Sequence, residues 1–549
     1  MSIFLILVLL IVAFISFSFL KEFVIDFIGE GLIASIFSGM TMITGIALVL
    51  LLLIIVLSFF AKDRIDKSQF VNQSGLIEAN DVKYEQKQKK NNLFISKKNH
   101  RRKFKKTHNT LVLSQNLKLV PKRVFEHVVF SVPTGGGKSA SGLTPQLIDL
   151  NDVSVVVTDP KGELFRKTQM LMKMKGYKVY RLNLNDPSKS AKYNPLQQCK
   201  TPDDIRKLVT SVLQNVDDEK WAKLSRALLE AFTFKVWSEG GSMTDVVYER
   251  ANSSNDIDEL ELEFATANKQ SQLAFNKFKK LGGDGLLGSI NVTIDAAMYV
   301  FEKDNVQEIQ QGHFDITKFR DEKSILYVNY PEDESNELQG FLSPFYYQVI
   351  SLLKNHHSVD EGSDLFNKNA LPVFLLLDEF ANIGRIPNFT NFLTTVRSKK
   401  IGIEIFLQDF EQLAQVYGEK EAEIIISNCK TKVTMGGTSG KAAEMFSKLA
   451  GKQDIESHSS NEKGERNYSV KTVDVITDDQ IRQLKSNLLY IISDNLKPII
   501  DHKNYYFLNK LQYKAYSKFL TLEQVTGQER FLFINVGEVL KKLGGKPTI

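Results

Sequence analysis

Two runs at the start of the chain, residues 1–20 and 31–61, contain no charged side chain. A bilayer crossing takes about 20 apolar residues, so both runs predict spans, the second with length to spare for tilt. The polar stretch Lys21 to Glu30 separates them. From about residue 127 the pattern changes to short apolar, β-branched runs alternating with amphipathic stretches. His127–Val132, Val153–Thr158, Lys178–Leu184, Ile325–Val328, Val373–Leu377, Ile401–Leu407, Lys432–Met435 and Leu488–Ile492 read as strands. Helical stretches follow the first two, through Leu150 and to about Lys175. Continuous apolar strands alternating with helices predict an α/β fold, a mostly parallel sheet with helices on both faces. Residues 202–300 break the alternation. They show helical periodicity at Asp203–Asn215, Trp221–Trp237 and Leu260–Leu281, which predicts an all-helical insertion. Gly282, Gly283, Gly285 and Gly288 read as a flexible joint near its end. Ser457–Tyr468 reads as a mobile polar loop.

Charge orients the apolar runs. The separating loop has Lys21 against Glu22, Asp26 and Glu30, whereas Lys62 to His127 holds 17 Lys/Arg and 6 Asp/Glu, 17 − 6 = +11. Basic flanks stay in the cytoplasm. The expected arrangement is a multi-pass hairpin in the cytoplasmic membrane, both termini inside. A cleaved signal peptide at 1–20 fits less well, because no Lys or Arg precedes the apolar run. The cluster Lys87, Lys89, Lys90, Lys97, Lys98, Arg101, Arg102, Lys103, Lys105 and Lys106 suits a lipid-facing juxtamembrane segment. Contact with nucleic-acid phosphates is the sharper alternative. Over the whole chain, 43% hydrophobic and 24% charged residues exclude a disordered class. The net charge of +6 is too mild to announce a nucleic-acid binder by itself. Cys199 and Cys429 read as reduced, partly buried thiols. The neighbouring His356 and His357 lie outside any metal-spaced pattern, so no zinc site is expected.

Candidate chemistry starts at Pro133-Thr134-Gly135-Gly136-Gly137-Lys138-Ser139, between a predicted strand and helix. That context is what a phosphate-binding P-loop requires. The glycines let backbone N–H groups turn inward around phosphates, and the helix presents its positive end to the anion. Lys138 would reach the β- and γ-phosphates of ATP, and the Ser139 hydroxyl would coordinate Mg²⁺. Val132 stands where the strict pattern has glycine. The second half of such a site is a buried strand that delivers acids, here Pro372–Leu377 followed by Asp378-Glu379. Asp378 would hold Mg²⁺ through its water shell, and Glu379 would orient or deprotonate the attacking water. Arg397 follows the next helix and Gln408 ends the next strand. A guanidinium from a neighbouring subunit can stabilise the transferring phosphoryl group, and a strand-end amide can sense the γ-phosphate.

Taken together, the chain resembles the TraG/TraD-like coupling proteins of type IV secretion and conjugation. The motifs that carry the likeness are the P-loop above, Asp159-Pro160-Lys161-Gly162-Glu163-Leu164, Tyr193-Asn194-Pro195-Leu196 and Asp378-Glu379-Phe380-Ala381-Asn382-Ile383-Gly384-Arg385-Ile386-Pro387. The stretch Arg397–Gln408, the segment Gln412–Tyr417, Val475-Ile476-Thr477-Asp478-Asp479 and the N-terminal hairpin add to it. The resemblance implies a RecA-like P-loop NTPase sheet with an all-helical insertion, assembled as a homo-hexamer on the membrane. It implies an ATPase that takes a relaxase bound to single-stranded plasmid DNA and passes it to the secretion channel proteins. It puts Arg397 at the arginine-finger position and Gln408 at the sensor position. The expected divisions are a transmembrane hairpin (1–61), a basic juxtamembrane linker (62–126), a nucleotide-binding domain in two parts (127–201 and 301–500), a helical insertion (202–300) and a C-terminal tail (501–549). Tyr505, Tyr506 and Phe507 in the tail read as packing residues. Two other functions remain open: a ring-forming receptor whose main task is docking, and a segregation-type DNA translocase. The latter calls for a DNA-reading C-terminal module, for which the tail is short.

Overall fold

A computed structural model describes residues 77–78, 94–96, 111–119, 123–216, 218–357, 366–460, 466–494 and 496–507. The two expected spans and the basic cluster lie outside these residues. Among the described residues, no helix is long and apolar enough to cross a membrane.

Fifteen strands occur in the described residues: β1 (Ile77–Glu78), β2 (Phe94–Ser96), β3 (Leu111–Val112), β4 (Leu117–Leu119), β5 (Val128–Ser131), β6 (Ser154–Thr158), β7 (Lys178–Asn183), β8 (Ser324–Asn329), β9 (Val373–Leu377), β10 (Ile401–Leu407), β11 (Thr431–Met435), β12 (Lys452–Ser460), β13 (Arg466–Asp474), β14 (Leu488–Ser493) and β15 (Ile499–His502). Ten of them form one sheet in the order β1-β15-β14-β11-β5-β10-β9-β6-β8-β7. Every pairing is parallel except those of β14 with β11 and with β15. The expected α/β architecture with a parallel-rich sheet is therefore present. Its central strands are buried along their whole length, and alternate residues feed two hydrophobic layers. Val129, Val156, Leu326, Leu375 and Ile403 face one layer; Val128, Phe130, Val155, Phe374 and Phe406 face the other. Burying such a side chain is worth roughly 1.5–3 kcal/mol, which explains why these runs were legible as strands.

The insertion is helical as expected but more finely divided. Its helices are Pro202–Val212, Glu219–Ser238, Met243–Asn252, Ile257–Ala265, Lys269–Lys280 and Gly283–Met298. The expected single helix Leu260–Leu281 is two, because Asn268 accepts from the backbone N–H groups of Gln270 and Ser271 and caps a new helix there. Ser242 and Asp245 form a capping box that starts Met243–Asn252, a helix the periodicity did not suggest. The glycine cluster is not a joint. Gly283, Gly285 and Gly288 lie inside a 16-residue helix. Each helical glycine costs roughly 1 kcal/mol against alanine. Burial of Leu287, Ile290, Ile294 and Met298 along one stripe outweighs it.

Three other expectations are corrected. Ser457–Tyr468 is not a loop: β12 and β13 pair as an antiparallel hairpin that includes Ser457 opposite Ser469 and Ser460 opposite Arg466. A hairpin of mostly polar sequence gives no apolar alternation to read. The stretch 62–126 is more than a linker, since β1 joins the edge of the main sheet and β2, β3 and β4 form a small sheet. The tail boundary at 501 cuts through β15, where Asp501 pairs with Leu489.

Candidate nucleotide-binding and catalytic site

Parallel strands carry their loops of like sense to one edge of the sheet, where open α/β sheets bind ligands. The turn after β5 sits at this edge. Val132, in place of the pattern's glycine, is buried and donates its N–H to the Leu407 carbonyl (2.9 Å), extending strand pairing by one residue. Gly135 and Gly137 have φ of +75° and +87°, a region that disfavours side chains. A Cβ on Gly136 would come within 2.7 Å of the Val132 side chain and 2.8 Å of the Pro133 carbonyl. The turn thus needs glycine at all three positions. Lys138 begins the helix that continues through Asp149.

β9 lies two strands from β5, with β10 between them. It ends in Asp378 and Glu379. Lys138 Nζ reaches both, 2.7 Å from Asp378 Oδ1 and 2.5 Å from Glu379 Oε1. Burial penalises the ammonium, but the charges of Asp378 and Glu379 more than offset this and hold its pKa above the ordinary lysine value. Gln408, at the end of β10, spans the gap between the halves. Its Nε2 donates to both Glu379 oxygens (3.2 and 3.1 Å), and its Oε1 accepts from the Thr134 hydroxyl (3.1 Å). Glu379 has φ of +49°, a left-handed conformation costly for a non-glycine residue.

The donor set fits a magnesium-bound nucleotide. It combines a carboxylate, a hydroxyl, an ammonium and a three-glycine turn. Ser139 makes no side-chain hydrogen bond among the described residues, so its hydroxyl is available. Asp378 is 8% exposed. It is a hard oxygen donor of the type Mg²⁺ prefers.

The structure therefore brings together Thr134, Gly135, Gly136, Gly137, Lys138, Ser139, Asp378, Glu379 and Gln408. Arg397 is elsewhere. It precedes β10, at the opposite edge of the sheet, and its guanidinium pairs with Glu126. Seven residues of strand separate the edges, roughly 20 Å at about 3.3 Å per residue. Arg397 is 54% exposed at the side chain, whereas Glu126 is 4% exposed.

The Asp159–Glu163 motif now has a structural role. Asp159 ends β6 and accepts from the N–H groups of Leu164 (3.1 Å) and Phe165 (2.8 Å), closing the turn into the helix Glu163–Met174. Gly162 supplies the left-handed step at φ +67°. Burial raises the pKa of Asp159 to about 6; these N–H groups oppose the shift and the charge of Asp378 adds to it.

The loop after Glu379 is tied to the helical insertion. The Arg385 N–H donates to Asn215 Oδ1 (2.9 Å), the Ile386 N–H to the Tyr417 hydroxyl (3.1 Å), and the Ser343 hydroxyl to the Arg385 carbonyl (2.6 Å).

Sequence reasoning missed the segment after β15. Two antiparallel steps, β11 to β14 to β15, restore the direction of β5. Residues 503–507 therefore emerge at the ligand edge. Lys503 Nζ donates to the Gly136 carbonyl (2.7 Å), and the Tyr506 N–H to the Ala140 carbonyl (3.3 Å). Burial lowers the pKa of Lys503. The only signal in the sequence was the run Tyr505-Tyr506-Phe507, which does not reveal which edge it occupies. Both cysteines are free and buried, as expected. His356 and His357, which showed no metal-ligand spacing in the sequence, both face Asp321 (3.2 and 2.6 Å), and the three side chains form a group whose ligand atoms could hold a metal ion. Hydrogen bonds from the two imidazoles to that carboxylate account for the arrangement.

Comparison with known proteins agrees with this geometry. The family model described as "Type IV secretory system Conjugative DNA transfer" matches residues 50–530. Protein VirD4 of Rhizobium radiobacter is 22% identical over 347 residues, covering 61% of this chain and 49% of its own. Protein VirD4 of Agrobacterium fabrum (strain C58 / ATCC 33970) is 21% identical over 403 residues, covering 70% of this chain and 59% of its own. The chain thus spans about half to three-fifths of the curated relatives it matches. Among solved structures, the bacterial conjugative coupling protein TrwBdeltaN70 superposes with TM-score 0.58 at 17% identity, over 75% of this chain and 93% of that one. TrwB in complex with ADP and Mg²⁺ gives TM-score 0.57 at 18% identity, over the same shares. TrwB has also been solved with the non-hydrolysable analogues ADPNP and GDPNP. These likenesses establish the shared fold.

Proposed function

Because the chain belongs to the type IV secretion family of conjugative DNA transfer, we propose that it is a coupling ATPase. It hydrolyses ATP to deliver relaxase-bound single-stranded DNA to the secretion channel proteins. The observation that carries this reading is Lys138 within 2.7 Å of Asp378 and 2.5 Å of Glu379, across the crest of the sheet. The glycine turn and Lys138 bind the triphosphate, with Lys138 exchanging its carboxylate partners for phosphate oxygens. Ser139 and Asp378 would hold Mg²⁺, which supplies charge neutralisation at the phosphates. Glu379 accepts a proton from the water that attacks the γ-phosphorus as the bond to ADP breaks. Gln408 holds that carboxylate in place through its two hydrogen bonds and reports to Thr134.

Arg397 acts on the nucleotide of the adjacent subunit in a homo-hexamer. Supporting this, it is exposed and lies a sheet's width from its own subunit's pocket. The uncharged runs 1–20 and 31–61, and the +11 balance after them, support a place in the cytoplasmic membrane with both termini inside. The relaxase docks on the helical insertion, which is wired to the carboxylate loop through Asn215.

The test is Lys138→Ala in the full chain, scored for phosphate release, relaxase binding and plasmid transfer. Phosphate release should fall at least a hundredfold, on the order expected for an electrostatic contact to the transferring group, with transfer abolished and relaxase binding kept. Transfer that persists without turnover would make the chain a docking receptor instead.

A further inference from the structure

The residues just after β15 lie on the phosphate-binding turn, and no step proposed above uses them. A Cβ placed on Gly137 would meet the Tyr505 ring at 3.1 Å. Tyr505 is held there from both sides: Lys503 is bonded to the Gly136 carbonyl, and the Tyr506 N–H to the Ala140 carbonyl. Tyr506 faces away from the turn. It packs on Ile148 and Leu171, with Lys167 Nζ 5.5 Å from its ring centroid. Phe507 lies between the two tyrosine rings, tilted by 34° against Tyr505 and edge-on to Tyr506, ring centroids 5.3 Å apart in each case. Phe507 is 50% exposed and Tyr505 partly so. What sets this aromatic pair apart from the other exposed rings is its place beside the turn that cradles phosphates. In a nucleotide the base lies one sugar away from the α-phosphate, and its flat faces stack on aromatic rings.

We propose that Tyr505, with Phe507 beside it, is the platform on which the base of the bound nucleotide stacks. This rests on the ATPase reading above and assigns the base end of the same site. The consequence is a recognition by ring face. The aromatic pair offers π surface and no amide or carboxylate to read a base edge, so purines should bind better than pyrimidines, with adenine and guanine poorly distinguished. Because the platform is bonded to the turn through Lys503 and Tyr506, base binding also steadies the loop that presents Lys138.

The experiment compares ATP, GTP and CTP with inorganic tripolyphosphate, which has the phosphates and no base, by calorimetry on the full chain. Tyr505→Leu keeps apolar bulk but removes the ring face; Tyr505→Phe keeps it. Tyr505→Leu should weaken ATP and GTP roughly tenfold, the scale of one lost base stack, and leave tripolyphosphate unchanged. Tyr505→Phe should bind all four ligands like the parent chain. The proposal is overturned if Tyr505→Leu binds ATP normally, or if it loses tripolyphosphate by the same factor; in the latter case the ring merely buttresses the turn. Lys138→Ala serves as the control for the underlying reading. If that variant binds ATP and tripolyphosphate as tightly as the parent, the phosphate site itself is misassigned, a result distinct from failure of the platform.

Discussion

The two edges of the central sheet treat charge in opposite ways. At the edge carrying the glycine turn, one ammonium faces two carboxylates, and one of those acids sits in a strained backbone conformation. At the other edge, charges and polar groups are consumed by architecture. Arg320, fully buried, donates to the carbonyls of Leu353, Leu371 and Lys399. His127 accepts from the Ile403 N–H (3.1 Å) and so donates from Nε2 to the Leu393 carbonyl (2.7 Å). Arg123 bridges Glu126 and Asp494. Arg397 also pairs with Glu126 there, with half its side chain in solvent. The difference teaches that the first edge can bind and polarise a ligand within one subunit. The second edge holds Arg397 away from that site, so the role proposed for it in an adjacent subunit is what tests the contrast.

The most demanding test of that contrast is Arg397→Ala. Turnover should fall about a thousandfold or more, the scale of an arginine finger, while ATP affinity of the isolated subunit changes less than about twofold. Mixing Arg397→Ala with Lys138→Ala subunits should restore part of the turnover, since some interfaces then hold an intact pocket facing an intact guanidinium. Equal loss of ATP affinity, or no recovery in the mixture, would place Arg397 among the structural charges of its edge. Next in size is Gln408→Ala, expected to lower kcat roughly tenfold to a hundredfold with little change in KM, as removal of a group that positions a general base does. A rise in KM alone would make Gln408 a binding residue.

The smallest effect concerns Glu404, midway between the edges on β10. It is fully buried, accepts from Gln146 Nε2 (2.5 Å), and burial raises its pKa from 4.5 to about 8. The folded protein keeps this proton across a range in which the unfolded chain has lost it. Stability should therefore fall as pH rises from about 4.5 to about 8, by up to about 1.4 kcal/mol per pH unit. Glu404→Gln should remove that slope and gain roughly 2 kcal/mol on the parent chain between pH 6 and pH 8, read by denaturant midpoints. Parallel pH profiles for the two proteins would show that the carboxyl is ionised inside the sheet.

What was legible in the sequence divides along the same line. The glycine turn and the acids after β9 could be read because each is local. A turn of fixed φ needs glycine within three residues, and β9 runs uncharged until Asp378-Glu379. Most of the apolar strand runs were legible because burial on both faces leaves few polar gaps; the edge strand Lys178–Asn183, half-exposed, was read from its β-branched and aromatic residues. The tail was opaque because its position depends on β14 running antiparallel, a long-range fact without a local signature. The glycines at 282–288 misled for the converse reason: local freedom was overridden by the distant helices against which Leu287 and Ile290 pack. Arg397 could be placed in the chain but not in space. Its separation from the pocket follows from strand direction alone.

One hydrogen bond carries a mechanical corollary. Asn215, at the foot of the helical insertion, holds the Arg385 N–H, and Arg385 is six residues beyond Glu379. A Cβ on Gly384 would stand 3.1 Å from that same Asn215 oxygen, so the loop has no slack at this point. A push on the insertion must either snap this tether or drag the acid-bearing loop along. A displacement of Asn215 is thereby carried into the loop that follows Glu379.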